Sequence, residues 1–135
     1  MTNLFPTDVI VSSDIEKYKT IIKAGDHIII ADEPLDLHGG NSGAMPTQLL
    51  AAALGSCTSI TIRMYAERKN MSLESVEVSV NIDKISPTNS LFIRKIKING
   101  NLSNEERDRL FQVANVCPVH KILTGEINIE TSLVE

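Results

Sequence analysis

Tryptophan is absent and aromatic residues make up only 4% of the chain, so any core has to be mostly aliphatic. Cysteine is scarce, at two residues. The opening MTNLFPTDVIV has no basic segment followed by a long apolar run, so no export signal is expected and a cytoplasmic location is. In that compartment two cysteines read as free thiols or a redox pair rather than a structural disulfide. Positive charge is outnumbered, 13 Lys and Arg against 17 Asp and Glu. The net charge of −4 argues against nucleic acid or an anionic membrane as a partner. Repeats, low-complexity tracts and linkers are also missing, and 135 residues suit one domain spanning 1–135.

What the sequence does have is one long stretch, MPTQLLAAALGSCTSITIRMYAERK at residues 45–69, that is uncharged as far as Ile62. Pro46 suits a first helical turn, where its missing N–H costs nothing. From Leu49 to Ile62 nearly every residue is apolar or small, and the first charge after them is Arg63. A helix of this length spans roughly 35 Å, the width of a small domain. Its Ser and Thr content and short apolar run argue against a membrane span. The expectation is a central helix buried on all sides. One short chain has difficulty covering such a helix, which predicts a homodimer. Gly55 costs about 1 kcal/mol relative to Ala in a helix, so close approach by another backbone is expected there.

Strands are expected at 8–12, 18–23 and 27–31, the last two forming a hairpin through the turn signal Ala24-Gly25-Asp26. The loop 32–45, DEPLDLHGGNSGAM, lacks the Gly-Lys-Ser/Thr ending and the Rossmann spacing of phosphate-binding loops, and reads as a flexible lead-in or lid. After the central helix, residues 73–83 alternate as a half-buried strand. A second strand at 91–98 has its alternation disturbed at Arg94-Lys95, which suggests a bulge, and Asn99-Gly100 ends it. Ser103 and Glu106 form a capping box for an amphipathic helix carrying Leu110, Val113, Ala114 and Cys117 on its buried face. Pro118 stops that helix and can open a new turn. Residues 127–133 alternate again and are expected to close the domain as a strand.

If Pro118 starts a helix, Cys117 lies at its N-terminus, where N–H groups and the helix dipole favour a thiolate. His120 would then help if protonated. Cys57 sits mid-helix among apolar neighbours, and burial raises a thiol's pKa, so it needs a positive partner from another segment. The alternative is that both are ordinary buried cysteines. A zinc site from Cys57, Cys117 and His120 lacks the close ligand spacing of structural zinc motifs. His27 and His38 have no local partner pattern and read as structural or solvated.

The runs Pro46-Thr-Gln-Leu-Leu-Ala-Ala-Ala-Leu-Gly-Ser-Cys57-Thr, Tyr65-Ala-Glu-Arg-Lys, Leu102-Ser and Cys117-Pro-Val-His-Lys121 together resemble the OsmC/Ohr family, the osmotically inducible and organic hydroperoxide resistance proteins. Asp32-Glu-Pro34 and His38-Gly-Gly40 resemble its generic OsmC-like branch. The resemblance covers essentially the whole chain. It implies an α+β fold in which two intertwined subunits wrap β-strands around paired central helices. It implies thiol-dependent reduction of organic hydroperoxides, with no cofactor. Cys57 would be the peroxidatic residue and Cys117 the resolving one, linked by a Cys57–Cys117 disulfide that a dithiol reductant reopens.

The chain departs from that pattern in one respect. The peroxidatic branches carry a glutamate after the helix-starting proline and an arginine in the N-terminal strands. Here Thr47 stands at the first position, and no arginine precedes Arg63. Gln48, Arg63 and Arg68 are the candidates to take their place. Two functions therefore stand side by side: a cysteine-dependent peroxidase, favoured by the two cysteines in their contexts, and a dimer that binds a small apolar ligand or senses redox state slowly, favoured by the missing pair.

Overall fold

The computed structural model describes residues 2–134. The chain forms two compact units, within Met1–Leu50 and Ala51–Glu135.

The first unit is a three-stranded antiparallel sheet in sequential order, β1 (Ile10–Ser13), β2 (Thr20–Ala24) and β3 (His27–Ala31). β2 and β3 form the expected hairpin, with Ala24 opposite His27 and Gly25 at φ 60° in the turn, where a residue without Cβ is favoured. Ile10, Val11, Ile28 and Ile29 remain exposed on it. The loop after β3, expected to be flexible, is tied down by one carboxylate. Asp32 is buried and accepts from the amides of Tyr18 (2.8 Å), Glu33 (2.7 Å) and Ser42 (3.0 Å) and from the Ser42 hydroxyl (2.6 Å). The glycines of this loop serve close packing: a side chain at Gly39 would collide with the Glu33 backbone, and one at Gly43 with that of Ile30. Ser42 carries the Asp32 contact between them.

Helix α1 (Pro46–Arg68) begins at the end of the first unit and continues through the second. Gln48 Oε1 accepts from the Met45 N–H at 2.9 Å and so satisfies a donor at the helix start. A long hairpin follows, β4 (Ser72–Ser86) and β5 (Asn89–Asn101). Next come α2 (Asn104–Val113), a 3₁₀ turn at Ala114–Val116, and α3 (Pro118–Thr124). The Ser103–Glu106 capping box is present in both directions. The core of this unit is the seam between α1 and α2: Ile62 and Ala66 against Leu110, Val113 and Ala114, flanked by Val76, Ile96 and Ile98 of the hairpin. Gly55 faces β4. A Cβ there would lie 3.5 Å from Val80 Cγ2 and 3.9 Å from the Val78 carbonyl oxygen, so side chain and backbone both come near.

Two expectations are corrected, at Arg94-Lys95 and at 127–133. As expected of so short a chain, α1 is not covered on every side within it. Leu54, Gly55, Thr58, Ile62 and Ala66 are covered, whereas Ile60 and Met64 are 54% and 60% exposed. The bulge expected at Arg94-Lys95 does not exist: Val80 pairs with Arg94 and Ser79 with Lys95 in unbroken register, and the irregularities lie at Leu73/Ser75 and Lys84/Ser86. The alternation looked disturbed because a charged residue, Arg94, occupies the inward row shared with Phe92, Ile96 and Ile98. Finally, residues 127–133 form no strand, and Ile129 and Leu133 stay exposed, because the segment has no hydrogen-bonding neighbour within the described residues.

Candidate redox site

Two independent pieces of local structure place the cysteines. Cys57 is held mid-way along α1 and is half-buried. Cys117 caps the start of α3 and is fully buried. It is the single residue between the 3₁₀ turn and Pro118, whose fixed φ suits the first helical position. Both thiols are free, and they lie near enough that each alters the proton affinity of the other.

The surroundings of the two sulfurs differ. Burial pushes the Cys57 thiol up, and the neighbouring Cys117 pushes it further, against a Val119 N–H and the Thr61 hydroxyl. Cys117 is also raised by burial, but its partners outweigh that. The Cys57 thiol, the N–H groups of His120 and Val119 and the side chain of Thr58 together hold it below the ordinary thiol value. The α3 start thus supplies the amides that the Pro118 reading anticipates. His120 contributes its backbone rather than a charge: burial, and then the nearby Arg94, lower the pKa of its imidazole and favour the neutral form.

The other candidates from the sequence are placed as follows. Thr47 and Gln48 are exposed in the first turn of α1. Arg63 donates to the carbonyls of Leu73 (2.9 Å) and Glu74 (2.9 Å), which fastens α1 to the start of β4. The Arg68 guanidinium stacks over the Tyr65 ring at 5.6 Å, where Arg109 also sits, with Arg109 Nε donating to the Tyr65 hydroxyl at 2.8 Å. The cation reaching toward the thiols is one the sequence reading passed over. Arg94 of β5 donates to Thr58 Oγ1 at 3.1 Å, to the Ala114 carbonyl at 3.3 Å and to Asn115 Oδ1 at 3.1 Å. Thr58 is the residue after Cys57, and Ala114 and Asn115 belong to the turn leading to Cys117. The available signal was the break in alternation at Arg94.

Two cavities flank the site within the second unit. One, of about 430 Å³, is lined by Leu54, Phe92, Arg94, Phe111, Asn115 and His120, among others. The other, about 850 Å³, has an apolar wall of Met64, Val113, Val116 and Pro118 beneath Arg68 and Arg109, and reaches Thr61 beside Cys57. Among the described residues no group of three or more His, Cys, Asp or Glu side chains is arranged to hold a metal ion.

An α+β frame that sets a mid-helix thiol against a second thiol at a helix start defines a paired-cysteine protein. The chain belongs to the OsmC-like family, whose model, described as OsmC-like protein, matches residues 39–132. None of the curated proteins matches the sequence. Among solved structures, the fold is similar to an OsmC-like protein from Mycoplasma pneumoniae, with 19% identity, 98% of this chain and 100% of the other covered, and a TM-score of 0.76. It is also similar to the organic hydroperoxide resistance protein OsmC from Legionella pneumophila (23% identity, 92% and 93% covered, TM-score 0.67). A third is the organic hydroperoxide resistance protein OhrB of Bacillus subtilis (21% identity, 91% and 93% covered, TM-score 0.64). At these identities the likeness establishes the fold, which is α+β and OsmC/Ohr-like.

Proposed function

We propose that the protein is a cysteine-dependent peroxidase that reduces organic hydroperoxides. The observation that carries this reading is the pairing of two free thiols, one half-buried and one fully buried, in an aliphatic setting. Family membership and the hydroperoxide-resistance names of its structural neighbours support it. Accessibility supports the division of roles. Cys57 is the sulfur a peroxide can reach, and the fully buried Cys117 is the resolving thiol.

The steps follow from the closeness of the two thiols. Cys117, the sulfur that more readily carries the negative charge, takes the Cys57 proton. The Cys57 thiolate attacks the outer oxygen of the hydroperoxide, and the O–O bond breaks. The alkoxide takes that proton from the Cys117 thiol and leaves as the alcohol, with Cys57 oxidised to sulfenic acid and Cys117 again a thiolate. The Cys117 thiolate then attacks the Cys57 sulfur. The S–S bond forms, and the hydroxyl leaves with a proton as water. An external dithiol exchanges with the disulfide and restores both thiols. The protein acts as a cytoplasmic homodimer of single-domain subunits. Its partners are the hydroperoxide and the dithiol, and it needs no cofactor.

The missing N-terminal arginine, and Thr47 at the glutamate position, favour a second reading in which the dimer binds a small apolar ligand and oxidises slowly. The test is consumption of cumene hydroperoxide by the reduced protein with excess dithiol. Sustained turnover that Cys57→Ser abolishes supports the peroxidase. No consumption by the wild-type protein supports the second reading.

A further inference from the structure

Arg94 is a half-buried guanidinium on the inward row of a sheet, and its side chain reaches the helical segments across it. Among the described residues no carboxylate is one of its partners; it spends its donors on a hydroxyl, a backbone carbonyl and an amide oxygen. Holding a cation at such a position is unfavourable unless its bonds organise something. All three acceptors lie on the two segments that carry the cysteines. Thr58 is fully buried, and its single hydroxyl proton is directed at the Leu54 carbonyl at 2.7 Å. A hydroxyl has one proton and two acceptor sites. Arg94 takes one acceptor site at 3.1 Å, and the Thr58 side chain is one of the groups that hold the Cys117 thiol down.

We propose that Arg94 is a positioning residue of the dithiol: through Thr58 it holds a polarised hydroxyl against Cys117 and so prepares that sulfur to act as the resolving thiolate. When Cys117 is a thiol, its S–H can point at Thr58 Oγ1. When it is a thiolate, rotation of the Thr58 hydroxyl away from Leu54 turns the same contact into an O–H donor to sulfur. Arg94 keeps the oxygen in place in both states and strengthens it as a donor, since hydrogen bonds in a chain polarise one another. The hold on Ala114 and Asn115 fixes the turn from which Cys117 projects. The charged and titratable groups facing this contact are Cys57 from α1, Cys117 and His120 from the α3 start and Arg94 from β5. β4 presents Val78 and Val80 to the helix there.

The inference rests on the peroxidase reading for the resolving role of Cys117, but its test does not require turnover. In a Cys57→Ser background Cys117 is the only thiol, and its ultraviolet thiolate absorbance is followed against pH. Thr58→Val, which keeps shape and removes the hydroxyl, is expected to raise the midpoint by about one pH unit, a tenfold loss of thiolate at neutral pH. Thr58→Ser is expected to restore the parent midpoint. Arg94→Met is expected to match Thr58→Val, and the double variant to move no further. Arg94→Lys keeps the charge but cannot reach all three acceptors, so a smaller shift in the same direction is expected. Should Arg94→Met fail to fold by circular dichroism, Arg94→Lys and the two Thr58 variants decide. An unchanged midpoint in Thr58→Val, or shifts that add fully in the double variant, overturn the proposal. Failure of the wild-type protein to consume peroxide would instead remove the peroxidase reading and leave the titration result standing.

Discussion

The Cys57 thiol and the Cys117 thiol act on each other, and their environments push them in opposite directions, Cys57 up and Cys117 down. A pair coupled in this way loses its protons in two macroscopic steps that belong to the pair. The thiolate titration of the reduced protein is therefore expected to show one step below and one above the free-thiol value of about 8.5. Cys117→Ser removes the neighbour that raises Cys57, so the remaining Cys57 step should fall below the upper step of the wild-type protein. Measurement is by thiolate absorbance or by alkylation rate against pH. A single step at the ordinary value would show that the sulfurs do not communicate.

The same pairing sets the pH dependence of the first oxidation. The lower step supplies the charge, and Cys57 acquires it by passing its proton to Cys117. The rate of sulfenic acid formation should then rise with pH through the lower step and level off, rather than climb steeply between 7 and 9. Cys117→Ser should leave this step possible but prevent disulfide closure. A rate that keeps rising past the upper step would assign the reaction to Cys57 alone.

Asp32 organises the loop before α1, and its hydrogen bonds, the Ser42 hydroxyl first, outweigh burial and hold its carboxyl well below the usual carboxylate range. The folded pKa lies below the unfolded value of about 3.9. Its contribution is therefore fully present above that value and is lost as pH falls through the folded pKa. Asp32→Asn should speed amide exchange at Tyr18 and Ser42 at neutral pH, with the difference from wild type shrinking in acid. Equal exchange at neutral pH would mean the loop is held by other contacts.

Gly55 tolerates a methyl group but not a branched side chain. A Cβ would make ordinary contact with Val80 at 3.5 Å, so Gly55→Ala should be neutral or stabilise by up to about 1 kcal/mol through helix propensity. Gly55→Leu should drive into β4 and cost about 1–3 kcal/mol. Urea unfolding midpoints check both. A fully stable Gly55→Leu would show that α1 and β4 are not in tight contact there.

The exposed Ile60 and Met64 on α1, together with Ile28 and Ile29 on the N-terminal sheet, leave apolar surface that a second copy of the chain would cover. Sedimentation is expected to give a dimer, and Ile60→Asp to weaken it. A stable folded wild-type monomer at micromolar concentration would contradict this.

Much of this was legible in the chain. Pro46 and the uncharged run marked α1, Ser103 and Glu106 marked the cap of α2, and Cys117-Pro118 marked a thiol at a helix start. Local rules suffice for these because each depends on a few neighbouring residues. Arg94 was misread because a charge on an inward row looks the same in sequence as a register slip, and its partners Thr58 and Asn115 are distant in the chain. Residues 127–133 alternate correctly but form no strand, since alternation describes a face and not the presence of a neighbouring edge. The closeness of Cys57 to Cys117 came from family resemblance, because nothing local to either residue indicates the other.

The central claim is that Cys57 reacts with organic hydroperoxide and Cys117 resolves it. The most direct measurement is to mix the fully reduced protein with one equivalent of cumene hydroperoxide, count free thiols over time and map the linked peptides. The account predicts loss of both thiols for each peroxide reduced and recovery of the Cys57–Cys117 pair, reversed by dithiol. Thiols that stay reduced, or a Cys57 that over-oxidises while Cys117 remains free, would contradict it.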